Sequence, residues 1–175
     1  MLGHVFVSFG SLVLLSAALA APADNDKGVE YAPEGAGFKV VFKAKPKEQE
    51  QTHLGITIKM ATLTEKDGAY IIGYSDVPLI GANETAEQTQ TRLDGARDGA
   101  LGNVNAKLSK EDKIILAKKH PGREIWADLP DKKGMLKMRM FIVKDRLYQI
   151  MAVGTKEFIE AEETDNFLKS LELTN

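Results

Sequence analysis

The chain has 175 residues, of which 43% are hydrophobic and 27% charged, with 23 basic against 25 acidic side chains and no cysteine. This is the composition of an ordinary globular protein, and its near balance of charge gives no indication of nucleic-acid binding. The absence of cysteine excludes disulfides, thiolate metal sites, iron-sulfur clusters, cysteine nucleophiles and a lipid-modified cysteine.

The N-terminal segment has the pattern of an export signal. Residues 5–21 contain no charged side chain, and Pro22 follows them. The run is short for a membrane-spanning helix, which needs about 20 residues, and Ala18-Leu19-Ala20 has the spacing that signal peptidase recognises. We therefore predict a signal peptide over residues 1–20, with a retained N-terminal anchor as the alternative. Cleavage would leave an exported protein, periplasmic or extracellular in a bacterium, with no membrane span.

The next segment differs in composition from the rest of the chain. Residues 21–36 are rich in turn-forming residues and nearly free of apolar side chains, which predicts a flexible leader. Residues 37–175 carry regular apolar patterns without an internal repeat, so we predict a single α+β domain there. A domain of this size buries roughly two thirds of its unfolded surface and needs no disulfide for stability.

Three strands are predicted at the start of the domain. Alternating apolar side chains predict a half-buried strand over residues 38–42. The same alternation predicts strands over 54–61 and 69–76, and residues 65–68 supply a hairpin turn between these two.

A helix is predicted over residues 83–101, where the apolar period changes. Thr85 and Gln88 have the spacing of a capping box, and Gly102 is placed to end the helix. The apolar stripe is sparse, so this helix should lie on a sheet rather than inside a bundle.

The following residues predict a meander of strands. Residues 104–108 suit a short edge strand, and the apolar run 114–117 suits a strand covered on both faces. His120-Pro121-Gly122 predicts a tight turn. Three further strands are predicted over residues 123–129, 135–143 and 147–153.

The last element predicted is a helical segment that begins after Thr155, a residue suited to cap it. The chain thus supplies about seven strands in hairpins and two helices. We predict an α+β fold with a central antiparallel sheet of about six to seven strands and helices packed on its faces.

No catalytic constellation is evident in the sequence. After signal cleavage the histidines are His53 and His120, and neither is spaced from another ligand as a metal site requires. Glu124 and Asp128 share one face of a predicted strand but lie roughly 13 Å apart at the usual rise. We assign no catalytic residue, no metal site and no cofactor.

The candidate binding residues cluster around the second half of the meander. Arg123 lies on the same face of its predicted strand as the core residues Ile125 and Ala127, so its guanidinium needs a carboxylate or carbonyl partner. It is therefore either a structural ion-pair residue or a ligand-binding one. Aromatic residues on strands either line a pocket or pack in the core. The candidate binding residues are His120, Arg123, Glu124, Trp126 and Tyr148.

Several lysines lie at predicted turns and strand ends. They could form a basic rim for an anionic surface, or they could protect strand edges from aggregation. These lysines are Lys43, Lys45, Lys47, Lys118, Lys119, Lys132 and Lys133.

The order of short motifs resembles that of uncharacterised exported bacterial domains, and the strand and helix order is similar to the PsbP/Mog1-like fold. The motifs are Tyr31 to Phe42 followed by Pro46, Tyr74 to Pro78, Gly122-Arg123-Glu124, Met140 to Tyr148, and Phe167 to Leu171. The resemblance implies an α/β/α sandwich and, mostly, docking or stabilising roles. Metal-ligand histidines have no match here, so no photosystem role is transferred.

The leading hypothesis is an exported, non-enzymatic binding or accessory domain that contacts a protein or small ligand of the cell envelope. One alternative is a hydrolase-like enzyme that uses His120 with Glu124 or Asp128. A second alternative is a domain that binds an anionic envelope surface. The sequence does not indicate the oligomeric state.

Overall fold

The structure is a computed structural model that describes residues 28–53, 55–77, 84–130 and 134–174. The predicted signal peptide, residues 1–20, lies outside the described residues. In chain order the described elements are β1 (Val29–Tyr31), β2 (Phe38–Phe42), β3 (Lys47–His53), β4 (Ile56–Thr64), β5 (Gly68–Asp76), α1 (Ala86–Asn103), β6 (Lys107–Leu116), β7 (His120–Asp128), β8 (Met135–Val143), β9 (Arg146–Gly154), α2 (Lys156–Glu160), α3 (Glu162–Lys169) and β10 (Glu172–Leu173).

The centre of the fold is a seven-stranded antiparallel sheet in the order β3-β4-β5-β9-β8-β7-β6. Hairpins join its neighbours except β5 and β9, which pair although α1 and three strands lie between them in the chain. The predicted turn between β4 and β5 forms, with the Glu65 N–H donating to the Gly68 carbonyl at 2.8 Å. The predicted α+β fold with a central antiparallel sheet is confirmed.

Helix α1 covers one face of the sheet, where it packs on β7 and β8. The predicted capping box begins the helix: Thr85 Oγ1 accepts from the Gln88 N–H at 3.2 Å, and Gln88 Oε1 accepts from the Thr85 N–H at 2.8 Å. Leu93 is fully buried between the helix and the sheet. A sparsely apolar helix is sufficient here because the methionines and isoleucines of the sheet supply most of the apolar surface.

The other face of the sheet is covered by α2, α3 and a second, small sheet. Thr155 Oγ1 accepts from the Phe158 N–H at 3.3 Å and so caps α2, as predicted. The ring of Phe167 on α3 lies 4.9 Å from the rings of both Phe42 and Tyr70. Helices on both faces make the three-layer arrangement that was expected.

The small sheet has the order β1-β2-β10 and contains the first predicted strand, residues 38–42, as its middle strand β2. A flexible leader was predicted over residues 21–36, but the structure shows a strand within residues 28–36, the part of the leader that it describes. Strand β1 pairs there with β2, and Ala36 is fully buried. A three-residue strand carries too short an apolar pattern to be recognised, because its stability comes from the pairing with β2.

The two strands predicted over 104–108 and 114–117 are wrong. The structure has one ten-residue strand, β6, at the edge of the sheet, and Ile115 is 69% exposed rather than covered on both faces. A continuous apolar run is compatible with a buried strand, but here it is the end of an edge strand.

The turn predicted at His120-Pro121-Gly122 is also wrong, because these residues begin β7. The turn lies earlier, where Ala117 and Lys118 have φ angles of 50° and 59°. This left-handed backbone matches the twist of a tight hairpin. Pro121 lies before the first residue of β7 that pairs with β8, so it interrupts no ladder on that side.

Candidate functional site

Trp126 is half-buried on β7 and lies between two lysines of the neighbouring strands. In the sheet register it stands opposite Lys110 of β6 on one side and Lys137 of β8 on the other. The Lys110 Nζ lies 4.2 Å from the ring centroid and the Lys137 Nζ 5.1 Å. Both ammonium groups are within the range of cation–π attraction, so the indole is held in a fixed position.

The next row of the same strands carries an ion pair beside the indole. Arg139 Nε donates to Glu124 Oε1 at 2.6 Å, and Asp112 of β6 stands opposite Glu124. Asp112 accepts from Lys110 at 2.7 Å, which ties the two rows together. We call the side chains of Lys110, Asp112, Glu124, Trp126, Lys137 and Arg139 the Trp126 face.

Helix α3 borders the Trp126 face through Asp165. Its carboxylate accepts from Lys137 Nζ and, at 3.2 Å, from Lys169 Nζ. The hydrogen bond from Lys137 is the main reason why the pKa of Asp165 lies below its usual value. Asp165 is therefore ionised at neutral pH, and it fixes Lys137 beside the indole.

Arg123, a predicted binding residue, is on the opposite face of the sheet. It is buried under α1, where its guanidinium meets Asp94 Oδ1 at 3.1 Å and Glu111 Oε1 at 2.8 Å. Arg97 of α1 contacts the same two carboxylates. A buried arginine on the core side of the strand needs carboxylate partners, and Asp94 and Glu111 supply them. These ion pairs join helix α1 to the sheet.

His120 is separated from the carboxylates that the hydrolase alternative needs. Glu124 is four residues further along the same strand, roughly 13 Å away, and it is engaged by Arg139. Asp128 lies at the far end of β7. The pKa of His120 is lowered by partial burial and by the nearby cations Lys119 and Lys144. No acid–base pair of the proposed kind is formed by these residues.

Tyr148 is a core residue. Its hydroxyl donates to the Ala36 carbonyl at 2.9 Å, and its ring meets Phe38 at 5.5 Å. Arg146 donates to the same carbonyl at 3.1 Å and pairs with Asp76. These contacts attach the strand β2 region to the main sheet, and burial raises the pKa of Tyr148.

The predicted basic rim is divided between distant parts of the sheet. Lys47 is on β3 and Lys118 is in the turn between β6 and β7, so they lie at opposite edges, roughly 29 Å apart at the usual strand spacing. Lys132 and Lys133 lie outside the described residues. The described lysines do not form one continuous surface.

A shallow cavity of about 190 Å³ lies between β2 and α3. Phe42, Tyr70 and Phe167 form its floor, and Lys43 and Glu163 stand at its rim. None of the five predicted binding residues lines it. Within the described ranges, no three His, Asp or Glu side chains are grouped so that they could hold a metal ion. The helices in this part of the chain are too short or too polar to cross a membrane.

Of the predicted binding residues, the structure places Glu124 and Trp126 together. Arg123 is on the other side of the sheet, Tyr148 is in the core, and His120 is at the start of the strand. Sequence reasoning missed Lys110 and Lys137 because their proximity to Trp126 depends on the pairing register of three strands. The alternation of Trp126 with buried Ile125 and Ala127 was the available signal that the indole faces away from α1.

Comparison with known proteins identifies the fold but no family. No protein-family profile matches the chain, and no curated protein matches it. The geometry described above is that of an α+β sandwich with a central antiparallel sheet.

The solution structure of cyanobacterial PsbP (CyanoP) from Synechocystis sp. PCC 6803 aligns with a TM-score of 0.56 and 10% sequence identity, over 89% of this chain and 98% of that chain. The chain therefore has a PsbP-like fold, as its motif order indicated. A protein of unknown function from Pseudomonas aeruginosa aligns with a TM-score of 0.42 and 13% identity, over 79% of this chain and 90% of that chain. At 10% identity the likeness to the cyanobacterial structure extends to the fold and not to function.

Proposed function

We propose that the chain is an exported, non-enzymatic accessory domain that docks to a partner protein of the cell envelope through the Trp126 face. The observation that carries the proposal is the half-buried indole held between Lys110 and Lys137 on three adjacent strands. Tryptophan and arginine are among the residues most enriched at binding hot spots, and the Trp126 face contains one of each.

The charges of the Trp126 face favour a protein partner over an anionic surface. Each of its three cations has an acidic partner: Lys110 pairs with Asp112, Lys137 with Asp165, and Arg139 with Glu124. A surface with compensated charges exerts little long-range attraction on a polyanion. An aromatic side chain on a rigid sheet loses little conformational entropy when it is buried against another protein.

Site-specific crosslinking in the native envelope tests this docking face. A photo-crosslinking residue at position 110 is expected to capture a partner protein, and adding Trp126→Ala is expected to lower the affinity by roughly thirtyfold and the yield with it, because hot-spot truncation costs about 2 kcal/mol. Lys59 provides the matched control: it is on the same side of the sheet and 52% exposed, against 59% for Lys110. The same photo-crosslinking residue at position 59 is expected to capture little.

Equal capture from positions 59 and 110, or a yield at 110 that is unaffected by Trp126→Ala, would contradict docking at the Trp126 face. The thermal unfolding midpoint of the Trp126→Ala variant shows whether the domain remains folded. Trp126→Phe retains an aromatic ring and is expected to recover part of the yield.

The export part of the proposal rests on the uncharged segment 5–21 and on Ala18-Leu19-Ala20. We expect the protein isolated from cells to begin at Ala21. Mass spectrometry of the intact mature protein measures this directly. A chain that retains residues 1–20 and fractionates with the membrane would support the anchor alternative instead, and a chain that retains them in the cytoplasm would refute export.

A further inference from the structure

The outer edge of β6 is long, although five of its ten residues are charged and a β-bulge interrupts its pairing with β7 between Leu108 and Lys110. It is ten residues long, it is the last strand of the sheet, and β7 is its one strand partner within the described part of the chain. From Lys110 to Leu116 the pairing with β7 is uninterrupted. Alternate N–H and C=O groups of such a strand point away from its neighbour and can pair with an added strand.

Two large apolar side chains are exposed on this strand. Leu108 is 39% exposed and Ile115 is 69% exposed, and Val41 is the one other large hydrophobic side chain exposed to this degree among the described residues. Leu108 stands opposite Ala127 and Ile115 opposite Pro121, so both are on the α1 side of the sheet. Natural edge strands are usually short or carry charge in such places, and a long edge with apolar ends marks a pairing site.

The charge along the edge is basic. Glu111 is turned inward to Arg97 and Arg123, so it does not offset the lysines of the edge. Lys107 and Lys113 make no ion pair with any described residue. Lys118 and Lys119 add two more cations in the adjoining turn. A segment that pairs with this edge is therefore favoured if it carries acidic side chains.

We propose that β6 accepts an extended acidic segment of the partner protein as an additional strand of the sheet. This inference rests on the docking function proposed above and gives the recognition mode: main-chain hydrogen bonds supply affinity, Leu108 and Ile115 select apolar side chains on the α1 side of the sheet, and Lys107 selects acidic side chains on the opposite side. The added strand lies beside the Trp126 face, so both contacts belong to one interface.

The test uses the full chain and synthetic peptides as long as β6, with blocked ends. A peptide of alternating valine and glutamate is expected to bind and to slow amide hydrogen exchange in β6, while β3, the opposite edge strand, is unaffected. The same peptide N-methylated at alternate residues keeps its charge but cannot complete the ladder, so it should bind roughly tenfold more weakly, as should a peptide of alternating valine and lysine.

A protein variant provides the second arm. Lys107→Gln, on the side of the sheet opposite Leu108 and Ile115, is expected to weaken binding of the glutamate peptide by roughly threefold, whereas Lys45→Gln, at an exposed position elsewhere, should leave it unchanged. Equal binding of the methylated and unmethylated peptides, or protection of β3 rather than β6, would overturn strand addition. If strand addition fails in this way but position 110 still captures a partner protein, the Trp126 face docks without strand addition. If the peptide does not bind β6 and position 110 captures nothing, the docking function itself is refuted.

Discussion

Replacing Phe38 with alanine is expected to lower the free energy of unfolding by about 3–5 kcal/mol, the usual cost of truncating a fully buried phenylalanine. Phe38 is 1% exposed and connects the small sheet to the main one. Its ring meets the rings of Tyr31, Tyr74 and Tyr148 at 5.3 to 6.3 Å. Urea denaturation measured by circular dichroism reports the change.

Val41, on the same strand, is the control for this prediction. It is 42% exposed, so Val41→Ala should change the free energy of unfolding by less than about 0.5 kcal/mol. A loss below about 1 kcal/mol for Phe38→Ala would show that the small sheet contributes little to the stability of the domain.

Replacing Arg123 with methionine is expected to cost about 3 kcal/mol, the lower part of the range for breaking a buried ion pair. The side chain is 5% exposed, and its loss leaves Asp94 and Glu111 with Arg97 as their remaining cation. The presence of Arg97 is the reason to expect the lower value. Urea denaturation again measures the change, with Lys113→Met, at an exposed position on the neighbouring strand, as the control.

The double variant Arg123→Met with Glu111→Leu separates a structural role from a ligand-binding role. Apolar replacement of both partners is often nearly neutral, so the double variant should recover much of the stability lost in Arg123→Met. If Arg123→Met retained full stability but abolished crosslinking from position 110, Arg123 would be a binding residue, contrary to its position under α1.

Local patterns were sufficient for the parts of the fold that are stabilised locally. The alternation of Phe38, Val40 and Phe42 identified β2, and the spacing of Thr85 and Gln88 identified the start of α1, because each feature depends on neighbours in the sequence. Strand β3 was missed because it contains no apolar residue and is stabilised by pairing with β4. The β6–β7 turn was missed because it uses Ala117 and Lys118, where glycine or asparagine would have given a signal.

The candidate site was predictable only in part for the same reason. Trp126 and Glu124 could be identified as outward-facing residues of one strand. Their partners Lys110, Lys137 and Arg139 come from other strands, and their positions are set by a register that no single strand encodes. For Arg123, the alternation along its strand correctly predicted that the side chain is buried and needs an acidic partner. Only the packing of α1 on the sheet shows which carboxylates are these partners.

The pairing of β2 with β10 constrains the order in which the protein can fold. Lys39 pairs with Glu172, so β2 waits for a segment that is made much later than β2 itself. The small sheet, and with it the cover over Tyr70 and Tyr148, is completed only after that segment is free to return. Contacts between such distant parts of a chain form slowly. The export proposed above would benefit from this delay, because the final layer of the domain would close after translocation rather than before it.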